Sequence, residues 1–275
     1  NLNTVNMNGK SVTVIWDRIH STAISASDTR TNVGSSVNID VTLKYDYDET
    51  PVTTGTVKIN GITASHQGSG VWRITVSKSS VTSATYGGSI SVSGDTYGIT
   101  ATSADAGTKT IIWDRIKVTS LTASDTRTNV GSSVNIDATL VYEYDNAKVT
   151  DGTVKIEGIS ATHQGSGKWR ISVSKSSVQA VTYDSVSASG NTYGITAVNM
   201  NGKSVTVIWD RLEVYGYGVS DSRVNVGDSV TIWVKLRYDY DDVIFDDTKG
   251  NVNIGGVSAS WDSVNARWYI TQSKT

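Results

Sequence analysis

Apolar and polar residues alternate along three long stretches of this chain. In the first stretch, the apolar side chains are Val37, Ile39, Val41, Leu43, Tyr45 and Tyr47. The same alternation returns at 134–144 and at 230–240, and shorter alternating runs follow each stretch. A period of two predicts a half-buried strand with one face toward a core and the other toward water. The "GSG" at 68–70 predicts a turn that joins neighbouring strands into a hairpin.

A four-residue motif sets the period of the whole chain. "IWDR" occurs at 15–18, 112–115 and 208–211, so its tryptophans are 97 and 96 residues apart. Repetition at a fixed interval indicates one structural unit used several times. Each interval contains about seven short strands with turn signals between them. The sequence therefore predicts an all-β fold of tandem immunoglobulin-like antiparallel β-sandwiches, about seven strands each.

The motif also predicts where one sandwich ends and the next begins. Residues 1–18 are expected to be the terminal strand of a preceding repeat, followed by repeat 1 (19–115) and repeat 2 (116–211). Repeat 3 (212–275) is expected to lack its last strands. We favour a window cut from a longer repeat array. The alternative is that residues 1–16 donate a final strand to repeat 3 of the next chain.

The tryptophan, aspartate and arginine of the motif are predicted to form the junctions between repeats. Each Trp is expected to cap a core, and each Asp and Arg to pair with the "SDTR" polar groups or with linker backbone. The predicted junction residues are Trp16, Asp17, Arg18, Trp113, Asp114, Arg115, Trp209, Asp210 and Arg211. A linker of almost no length, without a Gly or Pro run, favours a stiff rod of domains. The alternative is a well-packed strand end that does not control the angle between domains.

The composition excludes several classes of protein. The chain has no cysteine, so disulfides and thiolate metal sites are absent. Its net charge of −2, with acids and bases interspersed, argues against nucleic-acid binding. No apolar run approaches the ~20 residues of a membrane span, so none is expected in this segment.

Catalytic motifs are also missing from the sequence. There is no "GxSxG", "HExxH" or P-loop. His66 and His163 occupy the same position in two repeats, and Trp261 takes that position in the third. Since a catalytic base would not be exchangeable with Trp, these histidines are expected to pack at the rim of the core. We therefore expect no enzymatic activity.

The alternating strand, the acidic loop after it and a "G-x-V-x-I-x-G" run together resemble a known family. The run "NVGDSVTIWVKLRYDYDD" at 225–242, followed by "GNVNIGG" at 250–256, is similar to the tandem immunoglobulin-like repeats of prokaryotic surface proteins. Such repeats occur in surface-layer proteins, adhesin stalks and invasin-type proteins. The resemblance implies an extracellular, cell-surface location and a mechanical, spacing or adhesive role, and it supplies no catalytic residues.

An acidic loop in repeat 3 suggests calcium as the one candidate cofactor. Five carboxylates lie within nine residues: Asp239, Asp241, Asp242, Asp246 and Asp247. Calcium takes six to eight oxygen ligands, and such a loop could supply several of them. The equivalent loops of repeats 1 and 2 carry fewer acids, and solvated acidic loops are common.

The outward face of the predicted sheet differs between the repeats. Asp40 with Arg73, and Asp137 with Arg170, are expected to form cross-strand pairs. Trp233 and Tyr269 replace both members in repeat 3, which also gains Tyr215 and Tyr217. Outward aromatic rings are typical of contact patches. These four are the candidate interface residues, toward other copies of the chain or a cell-surface glycan. The alternative is an aromatic pair covered by a loop of its own domain.

These observations predict a non-catalytic structural segment of an extracellular cell-surface assembly: a surface layer, sheath or filament. An adhesin stalk or an array of carbohydrate-binding modules is the alternative. A third interpretation, a non-catalytic appendage of a large secreted enzyme, requires a catalytic domain elsewhere. Self-association of identical chains is the partner that we expect first.

Overall fold

The computed structural model describes residues 9–10 and 12–275, and this part of the chain is built of strands, turns and loops. It divides into two compact units. The first comprises residues up to Lys117 together with Val141–Gly152 and Ala188–Asn199. The second comprises Val118–Leu140, Thr153–Ser187 and Met200–Thr275. Repeat 2 contributes to both units, so the predicted domain boundaries differ from this division and stay predictions. No helix in the described residues is long and apolar enough to cross a membrane.

Repeat 1 contains eleven strands, several of them only two or three residues long. They are β1 (Ile19–Ala26), β2 (Arg30–Asn32), β3 (Ser36–Tyr45), β4 (Thr56–Ile59), β5 (Ile62–Thr63), β6 (Ser65–Gly68), β7 (Val71–Ser77), β8 (Thr82–Tyr86), β9 (Ile90–Ser93), β10 (Thr102–Ser103) and β11 (Lys109–Asp114). One sheet has the order β10-β1-β3-β7-β6, and two three-stranded sheets have the orders β2-β11-β8 and β5-β4-β9.

The core of repeat 1 lies between these sheets and follows the alternation of the sequence. Along β3, the side chains at 37, 39, 41, 43 and 45 are buried, and those between them are half-buried. Apolar residues of β4, β7, β9 and β11 join them in one cluster. Both layers of an antiparallel sandwich thus contribute side chains to one core, as the prediction of an immunoglobulin-like fold requires.

Repeat 2 has strands at the corresponding positions. They are β12 (Ile116–Ala123), β13 (Arg127–Asn129), β14 (Ser133–Tyr142), β15 (Thr153–Ile156), β16 (Ile159–Ser160), β17 (Thr162–Gly165), β18 (Lys168–Ser174), β19 (Gln179–Tyr183), β20 (Val186–Ser189), β21 (Val198–Asn199) and β22 (Val205–Asp210). Within the first unit, Ile116 and Lys117 pair in parallel with β21. Within the second, β14 pairs with β18, β18 with β17, and β22 lies between β13 and β19.

Repeat 3 forms one four-stranded sheet and a short hairpin. Its strands are β23 (Leu212–Val219), β24 (Ser229–Tyr238), β25 (Asn253–Ile254), β26 (Val257–Ser258), β27 (Ser260–Asp262) and β28 (Arg267–Ser273). The four-stranded sheet has the order β23-β24-β28-β27. The apolar positions of β24 are only half-buried, whereas their counterparts in β3 are buried. The reason is that no counterpart of β11 or β22 covers this face among the described residues of repeat 3.

Candidate functional site at the repeat junctions

Trp113 and Trp209 anchor the two junctions that lie inside the described chain. Both indole side chains are fully buried. Trp113 lies on β11, which is parallel to β2 and antiparallel to β8. Trp209 lies on β22, which is parallel to β13 and antiparallel to β19. Each indole N–H donates a hydrogen bond of 2.9 Å to a backbone carbonyl, that of Ser35 or that of Ser132. A buried tryptophan with its N–H satisfied fixes the end of the strand against the core.

Asp114 follows Trp113 and is fully buried, so its charge requires partners. Its Oδ1 accepts hydrogen bonds from the backbone N–H of Arg115 (2.8 Å) and of Tyr144 (2.9 Å). Its Oδ2 accepts two more from the Arg30 guanidinium, at 3.0 Å from Nε and 2.5 Å from Nη2. The predicted pairing of the motif aspartate with the "SDTR" arginine is confirmed at this junction.

Arg30 connects strand β2 to the loop that follows β14. Its Nη1 and Nη2 donate to Asp145 at 2.8 and 3.1 Å. The guanidinium also lies 4.7 Å from the ring centroid of Tyr142 and 4.2 Å from that of Tyr193. Burial alone lowers the pKa of Arg30, but the hydrogen bonds that its guanidinium donates to Asp145 and Asp114 outweigh it and raise this pKa above its ordinary value. The hydrogen bond from Arg30 lowers the pKa of Asp145.

The second unit contains a looser copy of this arrangement. Asp210 Oδ1 accepts from the backbone N–H of Arg211 (2.8 Å) and of Tyr240 (3.0 Å). Arg127 Nη1 lies 3.4 Å from Asp210 Oδ2, its Nη2 donates to Asp241, and its guanidinium lies 4.7 Å from the ring centroid of Tyr238. The Arg127 side chain is 30% exposed, compared with 8% for Arg30.

The motif arginine has a partner that the sequence reasoning missed. Arg115 pairs with Glu143 (2.5 Å), and Arg211 with Asp239 (2.7 Å). Arg18 pairs with Asp46 (3.0 Å). In all three copies this partner is the acid between two tyrosines in the loop after the long strand. The presence of an acid at this position in every repeat was the available signal.

Trp16 differs from the other two motif tryptophans. Its side chain is 86% exposed among the described residues, and the prediction that it caps a core stays a prediction. No strand among the described residues pairs with 12–18. Asp17 nevertheless keeps half of the junction geometry. Its Oδ1 accepts from the backbone N–H of Arg18 (2.8 Å) and of Tyr47 (3.0 Å), as the Oδ1 of Asp114 does from its own neighbours.

The outward faces of the β3–β7 and β14–β18 strand pairs carry the cross-strand pairs that the sequence predicted. Asp40 lies opposite Arg73 and accepts two hydrogen bonds of 2.7 Å from it. Arg170 makes the same pair of bonds to Asp137 and lowers the pKa of that carboxyl.

In repeat 3, Trp233 lies opposite Tyr269, in the predicted register. The Trp233 ring covers Gly218, since a Cβ at that glycine would lie 2.5 Å from the ring. Arg267 lies 5.6 Å from the Trp233 ring centroid, and Arg237 lies 5.2 Å from that of Tyr215. Tyr217 is 82% exposed. The four candidate interface residues thus lie on or beside one sheet, with two arginines against their rings.

The structure does not bring the five aspartates of the acidic loop together as a cluster. Four of them pair with separate cations: Asp239 with Arg211, Asp241 with Arg127, Asp242 with Arg237 and Asp246 with Lys249. Asp247 has no such pair among the described residues. Calcium binding by this loop stays a prediction without a convergent ligand set.

One group with metal-ligand geometry occurs in the described residues, and it was not predicted. It consists of His20, Asp46 and Glu49, whose ligand atoms lie within 4.8 Å of one another. Arg18 and Lys44 already pair with its carboxylates, at 3.0 and 3.3 Å. These cations would compete with a metal ion for the same oxygens.

The other two histidines, predicted to pack at the rim of the core, each lie against a tryptophan ring. The rings of His66 and Trp72 have centroids 4.9 Å apart and are tilted by 43°, and those of His163 and Trp169 have the same geometry. In repeat 3, the rings of Trp261 and Trp268 have centroids 5.4 Å apart and are tilted by 55°.

No protein-family model and no curated protein matches the chain. Solved structures that it is similar to include the adhesin FdeC of Escherichia coli, with 14% identity over 93% of this chain and 87% of that chain and a TM-score of 0.35. The adhesin InvE of Yersinia pseudotuberculosis has 15% identity over 90% and 75%, with a TM-score of 0.25. The three N-terminal domains of the outer capsid protein Hoc of bacteriophage RB49 have 12% identity over 94% and 87%, with a TM-score of 0.39.

These similarities are low and carry no argument about function. The strand orders and registers described above define the class of protein. The chain is an all-β protein of immunoglobulin-like sandwich architecture. Its two internal junctions are formed by the same three residue types: a tryptophan, an aspartate and an arginine.

Proposed function

We propose that the chain is a non-catalytic structural segment of an extracellular cell-surface assembly such as a surface layer, sheath or filament. The observation that carries the proposal is the junction itself. A tryptophan, a buried aspartate and an arginine from the "SDTR" run meet at each internal junction. Because the same residue types form both internal junctions, the sequence specifies the connection between repeats as well as the core of each repeat.

The geometry of the junction supports a mechanical role. Arg30 makes four hydrogen bonds to two carboxylates and lies against two tyrosine rings. Buried charge pairs are stable only when their hydrogen bonds are well aligned, so a change of angle would expose an unpaired charge. Each junction therefore favours one arrangement of the strands and loops that meet at it.

The remaining features agree with a structural role and an extracellular location. The histidines at 66 and 163 serve as packing partners of tryptophans. The acidic loop of repeat 3 is largely neutralised by cations of the same chain. The resemblance of the repeats to those of prokaryotic surface proteins supports the location.

The proposal predicts self-association of the intact chain. Sedimentation velocity over a concentration series should show species larger than 29.4 kDa whose fraction grows with concentration. A single monomeric species at every concentration would remove assembly as the proposed function.

An adhesin stalk or carbohydrate-binding array is the second candidate, and the aromatic face of repeat 3 favours it. Trp233, Tyr269 and the exposed Tyr217 present rings of the kind that bind sugars or proteins. If this function is right, the chain binds insoluble cell-wall polysaccharide saturably. Trp233→Ala should then weaken binding at least about 10-fold, the loss expected of a central aromatic contact. Arg73→Ala, at the position in repeat 1 that corresponds to Tyr269, serves as the control and should bind normally. Equal binding by all three proteins would exclude this face as the ligand site.

A further inference from the structure

The imidazole of His20 is surrounded by carboxylates in the first compact unit. His20 lies near the start of β1, and its side chain is 15% exposed. Its Nε2 lies 3.3 Å from Glu49 Oε1, and its Nδ1 lies 3.8 Å from Asp46 Oδ1 and 3.7 Å from Asp105 Oδ2. Nε2 is buried and has no hydrogen-bond partner among the described residues. A buried polar atom of this kind requires an explanation, and a bound ion is one of the few.

Each of these carboxylates turns one oxygen toward His20 and gives the other to a separate donor. The outer oxygens are Asp46 Oδ2, which accepts from Arg18 at 3.0 Å, Glu49 Oε2, which accepts from Lys44 at 3.3 Å, and Asp105 Oδ1, which accepts from Ser103. Within the described part of the chain, the three inner oxygens accept no hydrogen bond. Arg18 and Lys44 therefore compete with an added cation only for the outer oxygens.

The corresponding place in repeat 2 lacks this set of ligands. Repeats 1 and 2 are identical in sequence over 26–40 and 123–137. At the place of His20, however, repeat 2 has Lys117, and the counterparts of Glu49 and Asp105 are asparagines at 146 and 201. The imidazole and two of the three carboxylates are thus replaced together, and an ammonium group of the chain stands where the imidazole is in repeat 1.

In repeat 3, a guanidinium of the chain neutralises the corresponding carboxylates. Glu213 and Asp242 are the counterparts of His20 and Glu49. Arg237 pairs with both acids, at 3.1 and 2.9 Å. Repeat 1 is therefore the repeat in which an imidazole and inward-facing carboxylate oxygens meet without a cation of the chain between them.

The donor atoms identify the class of cation that fits. One ring nitrogen of His20, one oxygen of Asp46 and one oxygen of Glu49 lie within 4.8 Å of one another. Zinc binds imidazole nitrogen and carboxylate oxygen at about 2.0–2.2 Å, so neighbouring ligand atoms of a tetrahedral site are about 3.3–3.5 Å apart. Both carboxylates are exposed, and rotation of their side chains closes the remaining distance. Calcium and magnesium prefer oxygen ligands throughout, and an imidazole does not suit them.

We propose that His20, Asp46 and Glu49 bind one Zn²⁺ ion per chain, with water as the fourth ligand. The ion joins the start of β1 to the loop that follows β3. When Nε2 binds the ion, Asp105 is positioned to accept the N–H of Nδ1, as a carboxylate commonly does beside a metal-bound histidine. The site goes beyond the proposed function, because it requires no association between chains.

Zinc binding should also stabilise repeat 1. The ligands are 29 residues apart in sequence, from His20 to Glu49, and only the folded chain brings them together. An ion that binds the folded chain alone shifts the unfolding equilibrium toward it. The melting temperature of the intact chain should therefore rise with the concentration of zinc chloride.

Isothermal titration calorimetry of the intact chain with zinc chloride tests the site. Binding should saturate near one ion per chain, whereas calcium chloride should give no comparable binding. His20→Asn and Glu49→Gln should each weaken zinc binding at least about 10-fold, since even the partners of metal ligands contribute about 10- to 100-fold to affinity. Both variants should also lose the rise in melting temperature. Because Glu49 is exposed, Glu49→Gln keeps the test decisive if His20→Asn does not fold.

Three substitutions outside the site serve as matched controls. His66→Asn and His163→Asn remove the other two histidines of the chain, and Asp184→Asn removes an exposed carboxylate. All three should bind zinc as the unmodified chain does. The proposal is wrong if the unmodified chain takes up no zinc saturably, or if His20→Asn and Glu49→Gln bind as tightly as the unmodified chain. A loss in His66→Asn or His163→Asn equal to that in His20→Asn would also overturn it, because zinc would then bind elsewhere.

Discussion

Replacing Trp113 with alanine is expected to lower the free energy of unfolding of repeat 1 by about 3–5 kcal/mol. The indole is fully buried in the central strand β11 and donates a hydrogen bond to the Ser35 carbonyl. Truncation removes its apolar contacts, leaves a cavity in a packed core and deprives that carbonyl of its donor. Urea denaturation followed by far-ultraviolet circular dichroism measures the loss.

The chain contains its own control for this substitution. Trp16→Ala changes the same residue of the same motif at a site where the side chain is 86% exposed. Its effect on unfolding of the dilute chain should lie within about 0.5 kcal/mol of zero, the range expected at exposed positions. If both substitutions lower the free energy of unfolding equally, burial of the tryptophan at the junction is not the source of its stabilising effect.

Replacing Arg30 with methionine is expected to destabilise the junction by about 3–5 kcal/mol, because Asp114 would remain buried without its cation. The arginine side chain is 8% exposed and the aspartate side chain is fully buried. Methionine keeps much of the apolar length of the side chain, so the loss reports mainly on the charge and its hydrogen bonds. Unfolding in urea at neutral pH provides the measurement.

Acid provides a second test of Arg30, through its other carboxylate partner, Asp145. Arg30 lowers the pKa of Asp145 below its ordinary value of 3.8. A depressed carboxyl pKa contributes stability that is complete above this ordinary value and is lost as the pH falls through the lower, folded value. Arg30→Met should therefore make unfolding less dependent on pH below about pH 4.

Arg223→Met is the matched control, since Arg223 is the exposed counterpart of Arg30 in repeat 3. It should leave the free energy of unfolding and its acid dependence unchanged. If Arg30→Met has as small an effect as Arg223→Met, the ion pair does not hold the junction.

The cores of repeats 1 and 2 were predictable because they depend on local alternation, whereas the same positions of β24 in repeat 3 are only half-buried. Val37, Ile39 and Val41 are buried while their neighbours are only half-buried, as a period of two requires. The cross-strand pair of Asp40 and Arg73 was also predictable. The alternation shows which side chains of each strand point outward, and outward side chains on two neighbouring strands can meet.

The full junction was not predictable, because its members come from distant parts of the chain. The motif pointed to Asp114 and to the "SDTR" arginine, but nothing local indicated that Asp145, Tyr142 and Tyr193 would surround Arg30. The tryptophan of the "IWDR" motif is buried at 113 and 209 and exposed at 16. The same four letters give a buried side chain only where neighbouring strands cover it.

The acidic loop shows a second limit. A run of aspartates predicts a cation, but it does not specify which cation. In the structure the cations are Arg127, Arg211, Arg237 and Lys249 of the same chain. The "SDTR" arginine that pairs with Asp241 lies more than a hundred residues away in sequence, beyond the reach of any local pattern.

Electron microscopy of the intact protein, as isolated and without refolding, tests the central claim most directly. If the chain is a structural segment of an assembly, concentrated samples contain ordered filaments or sheets with one chain per repeating unit. Separate single particles at every concentration would contradict an assembly function and would direct attention to the glycan-binding alternative.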